Sequence, residues 1–287
     1  MRCCRYMKFD YAEESLRTGL YKVSHPSEFN DPFECRGKYI NYEEPLRKYV
    51  HDNYERLKFE KIRNWNISSP EIQAGLTEAA IFLGYSETLS ESIDASWIGA
   101  FDDRIFVMCL VKERGLKPTS DVLFWSHYAD SGKGVKVTFD MPEESGDSPY
   151  YVREVNYTDK IPTFDCSQMK DFFRGDEVAD YIDLLSYTKG KAWGYENEVR
   201  MFVPREYAEN GEHNYLHKKV SSSGKEIVMV RLGHLCVRRV DFGPRVDRER
   251  ASRLISDLKK LKEASHIVFH EAVLKPGEYV YAYKKVA

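Results

Sequence analysis

Short segments of strand character recur along the chain on both sides of residues 42–97, too many for an all-helical architecture and with too few helices between them for a strictly alternating one. Val135, Val137 and Phe139 alternate with Lys136, Thr138 and Asp140, the period-two pattern of a strand with one face in water. The stretch 104–111, apolar after its leading arginine and bounded by charges, predicts a strand buried on both faces. Further strands are expected at 2–8, 20–24, 151–157, 195–203, 226–232, 237–242, 267–274 and 279–285. Helices fall between them without strict alternation: near 13–18, where Gly19 supplies a stop, near 168–173 and 177–187, and at 248–263 behind Asp247 as N-cap. That order predicts an α+β fold with mixed, largely antiparallel sheets.

Between 42 and about 97 the pattern changes to helical spacing, so the 287 residues read as one α+β domain carrying a helical insertion. No apolar run approaches the roughly 20 residues needed to span a bilayer. The first residues lack the features of a secretory leader, so a cytoplasmic protein with no membrane partner is expected. The six cysteines include no CxxC pair and read as reduced thiols. A net charge of -3 argues against a broad electrostatic grip on nucleic acid, though a local basic groove remains compatible with it. Lys259, Lys260 and Lys262 read as the solvated face of an amphipathic helix.

Three segments carry residues suited to chemistry. In the first, Trp193-Gly-Tyr-Glu-Asn-Glu-Val-Arg200, strand geometry sends Glu196, Glu198 and Arg200 to one face. Such a face either meets solvent, with the arginine relieving repulsion between the acids, or places two carboxylates about two strand rises apart for acid–base work in a cleft. The second, Trp125-Ser-His-Tyr-Ala-Asp130, gathers Trp125, His127 and Tyr128 before a glycine turn at Gly132 and Gly134. These rings form either aromatic core or a stacking wall with a hydroxyl handle. The third, Phe29-Asn-Asp-Pro-Phe-Glu34, is a shaped loop in which Asn30 and Asp31 favour a turn ahead of Pro32.

Together with Arg5-Tyr6 and the stretch from Ser24 to Glu34, these segments resemble the bacterial domain-of-unknown-function family 2971. Their layout also resembles a distant ADP-ribosyltransferase: a basic residue on the first strand, an aromatic group in the middle and a glutamate on a later strand. That resemblance implies a split β core and NAD as the substrate, with no metal. Glu198 would stabilise the ribose charge, Glu196 would take the proton of the attacking group and Arg200 would hold the pair. Arg5 would meet the diphosphate, while Tyr6, Trp125, His127 and Tyr128, with Asn30, Asp31 and Phe33 of the loop, would hold the rest of NAD. The acceptor is expected to be a macromolecule, RNA or DNA or otherwise protein. A toxin or anti-phage role with an inhibitory antitoxin-like partner follows from the same resemblance.

Two other readings stay open. A metal-dependent nuclease would use Asp31, Glu34, Glu196 and Glu198 as oxygen ligands, and requires them to converge. A non-catalytic sensor or adaptor would use the aromatic and acidic faces only to bind a partner.

Overall fold

The computed structural model describes residues 1–41, 44, 105–142, 152–168, 183–204, 216–220, 224 and 226–286. Along them the elements run β1 (Arg2–Met7), α1 (Phe9–Thr18), β2 (Leu20–Val23), β3 (Lys38–Ile40), β4 (Ile105–Lys112), α2 (Pro118–His127), β5 (Val135–Asp140), β6 (Val152–Glu154), β7 (Asn156–Thr158), β8 (Thr163–Asp165), β9 (Thr188–Gly190), β10 (Glu198–Pro204), β11 (Leu216–Val220), β12 (Glu226–Arg231), β13 (Val237–Phe242), α3 (Arg248–Lys260), β14 (Val268–Leu274) and β15 (Tyr281–Lys285). The chain divides into two compact units. Met1–Phe29, Phe101–Asn156 and Lys191–Ala287 form the first; Asn30–Ala100 and Tyr157–Gly190 form the second. The insertion expected at about 42–97 lies outside the described residues, apart from Glu44.

An eight-stranded sheet in the order β15-β14-β13-β5-β1-β4-β10-β6 organises the first unit. Every neighbouring pair is antiparallel except β13 and β14. Those two run parallel because α3 carries the chain back between them. The architecture is thus mixed, with a large and mostly antiparallel sheet and few helices among the described residues. Alternation along β1 sends Cys3 and Met7 to one face of the sheet, and Cys4 and Tyr6 to the other.

The first face packs against α1 and α3. Leu16 of α1 and Leu254 and Leu258 of α3 are fully buried against Val137, Phe139, Met201 and Val240. Each large side chain so removed from water contributes about 1.5–3 kcal/mol. Helix α1 begins at Phe9, earlier than the sequence suggests, because Phe9, Ala12 and Leu16 present one buried stripe. It ends where expected: Gly19 adopts a φ of 70° and its N–H caps the Ser15 carbonyl at 2.8 Å. Asp247 caps α3, its side chain accepting from the N–H groups of Glu249 and Arg250 at 3.0 and 3.1 Å. A smaller sheet, β11-β12-β2, completes this unit.

The second face packs against α2, and here the sequence expectation fails for β5. Lys136 and Thr138 are 3% and 1% exposed, so of that face only Asp140, at the strand's end, keeps contact with water. Neighbours replace water for the Lys136 ammonium, whereas the Thr138 hydroxyl is buried with no hydrogen-bond partner among the described residues. The strand expected over 195–203 also starts later. Lys191–Glu196 winds as a 3₁₀ helix, Asn197 turns the chain with a φ of 47°, and only then does β10 begin at Glu198. The stretch 151–157 yields two short strands, β6 and β7. Of the helices expected near 168–173 and 177–187, residues 169–182 lie outside the described residues, while 183–186 are helical.

In the second unit β3 and β8 pair in parallel, and β9 pairs with β7. The loop after Phe29 forms the expected turn, with Asp31 accepting from the Phe33 N–H at 3.0 Å. Glu34 and Lys189 form a buried ion pair at 2.9 Å. No helix among the described residues is long and apolar enough to cross a membrane.

Candidate functional site

A cavity of about 300 Å³ opens in the first unit where β1 runs into α1. Arg5 and Tyr6 reach it from β1, Tyr11 and Glu14 from α1, and His127 and Tyr128 from the end of α2. Lys22 of β2 and Lys219 of β11 add to its lining. Four residues expected around the cofactor, Arg5, Tyr6, His127 and Tyr128, therefore share one hollow. Trp125 does not line it: the indole is fully buried, and its Nε1 donates to the Tyr283 hydroxyl at 3.1 Å.

The cavity carries an excess of positive charge. Part-buried Arg5 donates from Nη1 to the Lys22 carbonyl at 2.6 Å, and among the described residues no carboxylate forms an ion pair with it. Burial lowers its pKa from the ordinary value, with Cys109 and Tyr21 acting the other way. A guanidinium nevertheless stays charged at any physiological pH. Lys8, Lys22 and Lys219 stand beside it, Lys22 pairing at 3.6 Å with Glu28, which is off the lining, and Glu14 is the one carboxylate on the lining among the described residues.

A buried polar cluster, not anticipated from the sequence, fixes the aromatic wall. The Tyr6 hydroxyl donates to Asp121 Oδ1, the Tyr283 hydroxyl donates to Asp121 Oδ2 at 2.6 Å, and Lys136 Nζ donates to Asp121 Oδ1 at 3.1 Å. Lys136 also lies 5.2 Å from the centre of the Tyr6 ring and 5.0 Å from that of Tyr283. Burial alone would lower the Lys136 pKa; Cys4, Asp121 and Asp241 outweigh it and hold the ammonium above its ordinary value. Burial pushes the Tyr6 phenol far up, so Tyr6 acts as a neutral donor. Its ring stacks on Phe124 at 5.0 Å and meets Trp125 edge-on at 5.3 Å. The only sequence signal for this cluster is a lysine at an alternating polar position of β5, a pattern that a solvated face produces equally well.

The acidic segment has two parts with different surroundings. Glu196, at the end of the 3₁₀ helix, accepts from the Tyr128 hydroxyl at 2.6 Å and so touches the cavity wall through that tyrosine. Glu198 and Arg200, on β10, form a buried ion pair: Nε donates to Oε1 at 2.7 Å and Nη2 to Oε2 at 3.4 Å. The Phe29 ring lies 5.0 Å from the Arg200 guanidinium carbon. The three charged residues are each about 5% exposed or less, so this face does not meet solvent.

Asn197 separates the two parts. Its left-handed backbone is tolerated by asparagine, and its Nδ2 donates to the Lys112 and Arg114 carbonyls at 2.8 and 3.1 Å. Asn197→Gly is expected to keep the turn but cost about 1–2 kcal/mol for the lost bonds, and Asn197→Ala about 1 kcal/mol more for the unfavourable φ. Urea unfolding of both variants checks the order; equal stabilities would mean the backbone conformation is not as described.

The remaining expected residues belong to the second unit. Asn30 is exposed, Asp31 is buried in its turn, and Phe33 is 66% exposed. The nuclease reading draws Asp31 and Glu34 from this unit and Glu196 and Glu198 from the other. Among the described residues no group of three or more His, Cys, Asp or Glu is placed to hold a metal ion. A second, more open groove of about 540 Å³ lies along α1 and α3, but its Arg17, Arg250 and Lys260 are committed to Glu13, Asp10 and Asp257. All six cysteines are free thiols, and burial pushes Cys4 up to about 12, which leaves it a poor nucleophile.

No curated protein and no solved structure matches the chain. A family model does: the family described as Protein of unknown function (DUF2971) matches residues 124–201, a span that holds Tyr128, Lys136, Glu196, Glu198 and Arg200. Over that span, about a quarter of the chain, the sequence is similar to DUF2971.

Proposed function

We propose that this chain binds NAD in the cavity beside β1 and transfers its ADP-ribose to a macromolecule. The observation that carries the reading is Arg5, a part-buried guanidinium bonded to a carbonyl and not to a described carboxylate, in a hollow walled by Tyr6, His127 and Tyr128. A charge withdrawn from water without a counterion is costly, and a phosphate supplies both the charge and the bidentate oxygens a guanidinium prefers. The aromatic rings suit the nicotinamide or the adenine.

In the reaction the bond between the ribose carbon and the nicotinamide nitrogen breaks, nicotinamide leaves neutral, and positive charge develops on the ribose. A carboxylate near that charge lowers the barrier. Glu198 is assigned to it although it does not itself line the cavity, with Arg200 fixing its orientation through the 2.7 Å bond. A nucleophilic oxygen or nitrogen of the acceptor then bonds to the ribose carbon, and Glu196, tethered to the cavity wall by Tyr128, takes its proton. The acceptor is RNA, DNA or protein. A toxin or anti-phage effector held in check by an inhibitory partner is the matching physiological role, and growth arrest on expression of the chain alone is its expected sign.

Two measurements test the proposal. Saturating NAD is expected to raise the melting temperature, with stabilisation of about 2.7 kcal/mol at 100 times Kd. Incubation with labelled NAD and cell extract is expected to label one class of macromolecule. Glu196→Gln keeps an acceptor for Tyr128, so it should fold normally and lose about 10²–10⁴-fold in transfer rate. An unshifted melting curve together with no labelled product sinks the reading. Full activity in Glu196→Gln sinks the role given to that residue.

A further inference from the structure

Glu14 is an anomaly on the cavity lining. It faces Arg5, Lys8, Lys22 and Lys219 as the one carboxylate there among the described residues. From α1 it accepts from Lys219 Nζ of β11 through both oxygens, at 2.6 and 2.7 Å. An acid in an anion site repels the ligand and occupies a cation the ligand needs, so its presence discriminates against weak binders. The two side chains are 39% and 42% exposed, and a pair this open to solvent holds together only weakly. Arg5 differs, being anchored to the Lys22 carbonyl and not to an acid.

From this contrast we infer that Glu14 is the specificity-determining residue of the cavity: it positions Lys219 and yields that ammonium only to a phosphate able to displace a carboxylate. Arg5 supplies the fixed charge, and the Glu14–Lys219 pair supplies a contestable one. A diphosphate offers several charged oxygens and wins the exchange, whereas a small monoanion does not. This inference rests on reading the cavity as a phosphate site.

The test is calorimetric titration of inorganic pyrophosphate, and separately of NAD, into the full chain and into Glu14→Gln, Lys219→Met, the double variant and Arg5→Met, with melting temperature as the control for folding. Glu14→Gln is expected to tighten pyrophosphate binding about two- to fivefold, and Lys219→Met to weaken it by a similar factor, the range an exposed ion pair permits. In the double variant the tightening should vanish. Tightening that persists without Lys219 overturns the exchange, because Glu14 then acts by repulsion alone. Wild-type affinity in Glu14→Gln, with Arg5→Met still abolishing binding, overturns the inference and leaves the phosphate site standing. Pyrophosphate binding with the expected coupling but no NAD binding supports the inference and removes the NAD reading. If neither probe binds the unmodified chain, both fall.

Discussion

Gly134→Ala is expected to lower stability by about 3–5 kcal/mol, although it adds a single methyl group. A Cβ at Gly134 would lie 2.1 Å from the Met7 carbonyl oxygen and 2.9 Å from both the Cα and the carbonyl oxygen of Ala129. All three are backbone atoms, so no side-chain rotation relieves the clash. The two segments are also bonded into place: the Gly134 N–H donates to the Ala129 carbonyl at 2.8 Å, and the Gly243 N–H donates to the Gly134 carbonyl at 3.0 Å. Accommodating the methyl forces the start of β5 away from the end of β1, where Met7 lines the cavity and the turn after α2 carries Tyr128. Ligand binding should therefore weaken together with stability. Gly277→Ala is the control: its φ is 78°, but nothing lies within 4 Å of the added carbon, so only about 1 kcal/mol of backbone strain is expected. Equal denaturation midpoints for the two variants would show that β1 and the Gly134 turn do not approach as closely as described.

The glycine turn was visible in the sequence as a turn, yet its tightness was not, because proximity to β1 depends on a strand pairing more than 120 residues away along the chain. The same limit explains what else was legible. Local signals held up where one element decides its own outcome: Gly19 stops α1, Asp247 caps α3, and the apolar run from 105 onward becomes β4. They failed where tertiary packing overrides period. Lys136 and Thr138 alternate with apolar neighbours as a wet face would, but both are buried, and Asp121 of α2, Tyr6 and Tyr283 take over the role of water for Lys136.

The candidate site shows the same division. Arg5, Tyr6, His127 and Tyr128 could be chosen by residue type and order, and they line one cavity. The relation between Glu196 and Glu198 could not be chosen that way. A strand reading puts them on one face, whereas Asn197 breaks the strand with its left-handed backbone and sends the first acid to Tyr128 and the second to Arg200. Asparagine at a strand start is the one hint available in advance, since it adopts that conformation more readily than most residues. Lys219 and Glu14, more than 200 positions apart, had no signal at all.

Arg200→Met is expected to cost about 3–5 kcal/mol, the usual consequence of withdrawing one partner from a buried ion pair. Arg200 is fully buried, and it holds Glu198, itself 5% exposed, through the 2.7 Å bond to Oε1. Methionine fills much of the same volume, so the loss should come from the carboxylate deprived of its guanidinium and, by about 1 kcal/mol, from the face of Phe29. Glu198→Gln added to Arg200→Met removes the stranded charge, and the pair of changes together should be less damaging than Arg200→Met alone. That ordering separates an ion pair from mere packing, which would make the double variant at least as unstable as the single one. Arg200→Lys gives an intermediate case, because an ammonium keeps the charge but cannot match two carboxylate oxygens with a planar fork. If Glu198 is the group that faces the ribose charge, the lysine variant should retain NAD binding through Arg5 while losing turnover. A change in KM with kcat intact would instead place the pair outside the reacting centre.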